Sequence, residues 1–131
     1  MADNVYGEKE MNVLIVDDSA AIRKILRRVL AQTEIAIGQI HEAGDGCEAL
    51  QLMKENPVQL VISDINMPNM DGLQLLENIK GTPEWKSIPV IMVTTEGSQQ
   101  TVLRSAEFGA VGYVKKPFSA DQIKETLAGI L

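Results

Sequence analysis

Apolar residues in this chain fall into two alternating kinds of pattern. Short unbroken runs come at Met11–Val16, Leu60–Ile62, Val90–Val93 and, more weakly, Ile37–Ala43 and Val111–Lys115. Runs this brief are too short for helices and suit strands buried on both faces. Between them, apolar residues recur at helical spacing. Ile22, Ile25, Leu26, Val29 and Leu30 mark the first such segment, and Ala49, Leu50, Leu52 and Met53 the second. Leu75, Leu76 and Ile79 mark the third, Val102, Leu103 and Ala106 a modest fourth, and Ile123, Leu127 and Ile130 the last. The alternation predicts a (βα)5 domain of the α/β class, its strands parallel because helical crossovers join them.

Boundary residues support the same division. Ser19 or Asp18 can cap the first helix, and Asn56-Pro57 stops the second. Asp45 with Glu48, Asp71 with Gln74, and Ser119 with Gln122 have the spacing of capping boxes. Gly109 suits the end of the fourth helix. Residues 1–10 are polar and expected to fray, which leaves 11–131 as one domain.

Composition narrows the functional classes. A chain of 131 residues with 45% hydrophobic content can bury a core. No apolar run approaches the ~20 residues of a membrane span. A net charge of −6 argues against nucleic acid as the partner, since phosphate contact needs a basic face. The basic residues Arg23, Lys24, Arg27 and Arg28 gather on one side of the first helix and read as a solvated face. The lone Cys47 cannot form an internal disulfide, which suits the cytoplasm, and reads as a packed, inert thiol. The single histidine, His41, reads as exposed and argues against a His-rich metal site or a His-centred triad.

Chemistry concentrates where the strands end. The first ends in Asp17-Asp18, the third in Asp64, the fourth in Thr94 and the fifth in Lys116. In a parallel sheet those ends share one edge, the usual place for a site in open α/β folds. Each residue alone has a plain structural reading: Asp64 as a turn aspartate, Lys116 as a solvated lysine, Thr94 as a strand-end hydroxyl. Three carboxylates crowded together would raise one another's pKa unless a cation sat among them. Oxygen donors without imidazole or thiolate select a hard ion, Mg²⁺ or Mn²⁺. Lys116 and Thr94 would stabilise a transferring phosphoryl group, and a carboxylate can accept one. Asp64-x-Asn66 opens like a calcium loop, but Asn69 stands where that loop needs glycine.

The segments VLIVDDS, VISDINMPNMDG, VIMVTTE and GYVKKPF together resemble the receiver domain of bacterial response regulators, most of all the stand-alone chemotaxis regulators. The resemblance implies a flavodoxin-like three-layer sandwich with strand order 2-1-3-4-5. It implies that Asp64 takes a phosphoryl group from a sensor-kinase histidine. Asp17, Asp18, Asp64 and the backbone carbonyl of Asn66 would hold Mg²⁺. Lys116 would contact the phosphoryl group, Thr94 would move toward it, and Tyr113 would turn inward as a switch. Asn66 and Glu96 would tune hydrolysis, and the Lys116–Pro117 bond would be cis. The output face would comprise the fourth helix, the fifth strand and the fifth helix. The implied partners are a sensor histidine kinase (CheA-like), the flagellar switch protein FliM and a phosphatase, with neither nucleic acid nor membrane.

Four other roles bear comparison. The domain could act as a phosphorelay carrier or phosphate sink, or be the receiver portion of a longer regulator. A flavodoxin-like FMN carrier has the same strand order, but Asp17, Asp18 and Asp64 carry the wrong charge for a flavin phosphate. An aspartate-based phosphatase of the haloacid dehalogenase class would need a DxDx[TV] loop, which is absent. The expected catalysis is confined to the domain's own phosphorylation and dephosphorylation, with no turnover of a metabolite.

Overall fold

The computed structural model describes residues 10–130; the fraying expected of the N-terminal segment falls on residues 1–9, outside that range. Five strands alternate with five helices: β1 Met11–Val16, α1 Ala20–Ala31, β2 Ile37–Ala43, α2 Gly46–Glu55, β3 Leu60–Ser63, α3 Gly72–Lys80, β4 Val90–Thr94, α4 Gln99–Glu107, β5 Gly112–Lys115 and α5 Ala120–Ile130. All strand pairs are parallel and the order is β2-β1-β3-β4-β5. The expected strand limits shift by one residue. β3 and β4 each gain a polar last residue, Ser63 and Thr94, while β5 begins at Gly112 rather than Val111.

Alternate side chains of the central strands point to opposite faces, which divides the core in two. Leu14, Val16, Val61 and Met92 pack with Ala49 and Met53 of α2 and Leu75, Leu76 and Ile79 of α3. Val13, Ile15, Ile62, Ile91 and Val93 pack with Leu26, Val29 and Leu30 of α1 and Ile123 and Leu127 of α5. Burial on both faces explains why the central strands read as unbroken apolar runs.

Caps form largely as their spacing predicts. Asp71 and Gln74 close a reciprocal box, with Gln74 N–H donating to Asp71 Oδ1 at 2.8 Å and Asp71 N–H to Gln74 Oε1 at 3.0 Å. Ser119 and Gln122 do the same. Asp45 caps α2, but Glu48 reaches one residue farther back and accepts from Gly44 N–H rather than from Asp45. At the end of α4, Gly109 has φ +103° and its N–H donates to Ala106 O, while Ala110 N–H donates to Ser105 O. This double closure is the Schellman motif, which glycine completes without a steric penalty.

Several side chains depart from expectation. Ile25 is 42% exposed, because α1 turns Leu26, Val29 and Leu30 inward and leaves Ile25 on its outer flank. α4 buries only Ser105, so Leu103 and Ala106 face outward and its inner stripe is half polar. Cys47 is exposed on the first turn of α2 rather than packed, since Gly46 and Ala49 occupy the inner positions. His41 is half-buried rather than exposed, and its Nε2 is enclosed without a hydrogen-bond partner. The basic side of α1 is not simply solvated. Arg23 and Arg27 both donate to Glu42 on β2, at 2.9 and 2.7 Å.

Candidate functional site

Asp17, Asp64 and Lys116 each lie one step beyond a strand, and the backbone ladder continues far enough to fix them. Asp17 N–H donates to Ala43 O, Asp64 N–H to Val16 O, and Lys116 N–H to Thr94 O, at 3.0, 2.8 and 2.8 Å. The three carboxyl-bearing positions are thereby set on the neighbouring strands β1 and β3, and Lys116 reaches across from β5. One oxygen from each of Asp17, Asp18 and Asp64 lies within 4.8 Å of the others. Asp17 and Asp64 are buried while Asp18 is exposed, so the cluster opens to solvent on one side.

Lys116 Nζ sits between two of the acids, 2.7 Å from Asp17 Oδ2 and 3.0 Å from Asp64 Oδ2. Burial pushes the Asp17 carboxyl up from its ordinary range, and the Lys116 hydrogen bond offsets this only in part. Burial also works to lower the Lys116 ammonium, but the hydrogen bonds it donates to Asp17 and Asp64, with their negative charge, outweigh it and raise the pKa. One ammonium thus compensates two buried carboxylates and leaves the third in solvent. The remaining Asp64 oxygen, Oδ1, accepts from Ile65 N–H at 2.7 Å. Gly72 permits this turn: a β-carbon there would lie 2.0 Å from Asp64 O.

The donor set fits a divalent cation. It offers carboxylate oxygens without imidazole or thiolate, a local excess of negative charge, and an open side for water, which together favour Mg²⁺ over softer ions. Asn66 lies exposed on the loop that follows Asp64.

The other expected residues stand in a second group beside this one. Thr94 is fully buried, with its Oγ1 accepting from Glu96 N–H at 3.2 Å. Glu96 Oε1 lies at the start of α4, 3.5 Å from Thr101 Oγ1, rather than among the acids. The Tyr113 hydroxyl is buried and has no hydrogen-bond partner. Burial raises its pKa, and the negative charges of Glu96 and Asp64 add to the effect.

The response regulator receiver domain family matches residues 13–128. The chain is a response regulator receiver domain. It is 39% identical over 119 residues to the chemotaxis protein CheY-3 of Vibrio cholerae, covering 91% of this chain and 90% of that one. It is 37% identical over 122 residues to the CheY homolog of Campylobacter jejuni, covering 92% of each. Among solved structures it is similar to CheY4 of Vibrio cholerae, with a TM-score of 0.83 and 32% identity over 94% of this chain and all of that one. The CheX-CheY-BeF3-Mg²⁺ complex of Borrelia burgdorferi gives 0.83 and 32%, covering 92% and 88%. Membership makes this a two-component signalling domain of the flavodoxin-like architecture, with Mg²⁺ binding at its acidic pocket and other proteins as partners. Among the described residues, no helix is long and apolar enough to cross a membrane.

One contact of the loop after Asp64 was invisible in the sequence. The loop after Asp64 is tied to the start of α2 by the Asn69 side chain, which donates to Asp45 Oδ2 at 2.7 Å. A non-glycine residue at φ +66° is its signature, and a backbone angle has no one-letter code.

Proposed function

We propose that this domain, spanning residues 11–131, accepts a phosphoryl group on Asp64 from a phosphohistidine of a sensor kinase. The observation that carries this reading is the placement of Lys116 Nζ within 3.0 Å of Asp64 and 2.7 Å of Asp17, beside a third carboxylate. An Asp64 carboxylate oxygen forms the new P–O bond as the donor P–N bond breaks, and the imidazole keeps the electron pair. A Mg²⁺ ion held by Asp17, Asp18, Asp64 and the carbonyl of Asn66 would neutralise charge on the transferring group; Mn²⁺ suits the same donors. Lys116 exchanges its Asp64 contact for a phosphoryl oxygen, so its charge is in place before transfer and needs little reorganisation.

The added charge, about −1.5 to −2, then offers a new acceptor to the Thr94 hydroxyl. Movement of Thr94 releases the Glu96 backbone N–H and changes the space beside Tyr113, whose unpartnered hydroxyl favours rearrangement. Asn66 and Glu96 tune hydrolysis from the open side. The names of the relatives support a role in chemotaxis. In that role the donor would be a CheA-like kinase, the target FliM at the flagellar switch and the terminator a phosphatase. The cytoplasm is the expected compartment, which suits a chain whose one thiol is free.

Incubation with acetyl phosphate and Mg²⁺, read by intact mass, tests the chemistry. Wild type should gain about one phosphoryl group and Asp64→Asn none. Equal labelling of both proteins overturns the assignment. Binding of a FliM N-terminal peptide should tighten on phosphorylation. No gain, together with transfer to a histidine phosphotransfer domain, would favour the phosphorelay alternative.

A further inference from the structure

We infer that Asn69 and Asp45 form a clamp that positions the phospho-acceptor loop for the metal, an inference that rests on the Asp17–Asp18–Asp64 cluster being the Mg²⁺ site. The loop from Asp64 to Gly72 leaves the sheet with Asp64 and returns at once, with Gly72 N–H donating to Ile65 O at 2.7 Å. That bond closes the base of the loop but does not orient its tip. The tip, residues 66–69, contains Asn66, whose backbone carbonyl the reading above assigns to the metal. Two contacts with the start of α2 hold it. Asn69 Nδ2 donates to Asp45 Oδ2 at 2.7 Å, and Gly46 N–H donates to Met70 O at 3.1 Å.

Asn69 takes the left-handed conformation, φ +66°, which asparagine tolerates better than most residues. The turn presents its amide to Asp45. That carboxylate is already fixed by its other oxygen, Oδ1, which caps α2 at Glu48 N–H, 2.8 Å away. Hydrogen bonds from the Glu48 backbone and from Asn69 hold the Asp45 carboxyl below its ordinary range. Asp45 therefore joins a rigid helix end to a loop that bears a proposed metal ligand. Partners that orient ligands from behind in this way commonly govern affinity. Neither residue touches the reacting atoms, so both are positioning residues.

Electrostatics supply a test that a merely structural role does not pass. Asn69→Asp adds a negative charge near the metal site, which by Coulomb attraction alone would tighten Mg²⁺ binding. It also sets two carboxylates against each other and opens the clamp. The clamp predicts weakening of Mg²⁺ affinity by about tenfold, the low end for residues that orient ligands. Asp45→Asn should leave affinity near wild type, because its single oxygen can keep the cap on Glu48 N–H while its new amide group donates to Asn69 Oδ1 once the Asn69 amide turns over. The double variant Asp45→Asn/Asn69→Asp rebuilds the bond with donor and acceptor exchanged, and should recover the affinity lost in Asn69→Asp. Asn69→Gly keeps the turn, deletes the bond and should weaken binding without any change of charge.

Titration calorimetry with Mg²⁺ reads the affinities, and melting in chelator reads stability separately. Asp18→Ala serves as the control for the site itself. If Asp18→Ala binds Mg²⁺ like wild type, the metal-site reading fails. If Asp18→Ala loses Mg²⁺ while Asn69→Asp and Asn69→Gly bind it normally, the clamp alone is overturned. Tightening in Asn69→Asp, or no recovery in the double variant, also overturns it.

Discussion

The two ends of the parallel sheet solve the same problem with opposite chemistry. Both must finish strands whose last polar groups would otherwise be left unpaired. At the end where strands begin, uncharged amides do most of the work. Asn12 N–H donates to Gln59 Oε1 at 2.7 Å, Gln59 N–H returns to Asn12 O at 2.8 Å, and Gln39 N–H donates to Asn12 Oδ1 at 2.8 Å. Nearby, Lys80 Nζ donates to the carbonyls of Lys86 and Ile88 at 3.0 and 2.7 Å, and burial lowers its pKa. Donors and acceptors match there, so that end is settled. At the other end, three carboxylates cluster and one ammonium pairs with only two of them. That arrangement costs stability and leaves an unmet demand for positive charge, which a cation and then a phosphoryl–lysine contact can satisfy. A functional end differs from a structural one by what it leaves unbalanced.

Removing the lysine should have the largest effect. Lys116→Met leaves Asp17 and Asp64 buried without their counter-charge, at a cost of about 3 kcal/mol in urea unfolding with chelator present. Saturating Mg²⁺ should reduce that cost, because the ion takes over the neutralising role. A loss below about 1 kcal/mol in chelator, less than breaking a buried pair should cost, would show that the ammonium is not what holds the acids together.

At the opposite end, Asn12→Ala removes the side-chain acceptor of one backbone N–H in a partly solvated place and should cost about 1 kcal/mol. It should not alter Mg²⁺ affinity. An affinity change in this variant would show that the two ends are coupled and would break the contrast between them.

The smallest effect belongs to a solvent-screened ion pair between α1 and the edge strand β2. The Arg27 hydrogen bond, with that of Arg23, holds the Glu42 carboxyl below its ordinary value of 4.5 despite some opposing burial. Because the folded pKa is the lower one, the contribution is present above pH 4.5 and fades as pH falls through the folded value. Arg27 is 46% exposed, so solvent screens the pair, and Glu42→Gln should cost under about 1 kcal/mol at pH 7. Urea titrations at several pH values should show the difference from wild type shrinking on acidification. A gap that stays constant with pH would mean the carboxylate charge contributes nothing.

Periodicity was enough to find all five strands and helices, because strands buried on both faces carry unbroken apolar runs and each helix needs a stripe. It misjudged side chains where a stripe was thin. In α4 the inward position belongs to Ser105, which satisfies itself on Val102 O at 2.9 Å, and Leu103 is left outside. Ile25 was misplaced for a related reason: α1 has five large apolar residues but room for fewer against the sheet. Asp17, Asp18, Asp64, Thr94 and Lys116 were legible as a group because a parallel sheet sends every strand end to one edge.

The sequence by itself determined the alternation of elements, the edge at which polar residues collect and the excess of acid there. Those depend on residue type and local spacing, which the chain states directly. The sharing of Lys116 between Asp17 and Asp64, the orphaned hydroxyl of Tyr113 and the Asn69–Asp45 clamp were decided by tertiary structure alone. Each needs a distance between residues far apart in the chain, or a side-chain direction, and strand register and loop closure set these only once the sheet has formed.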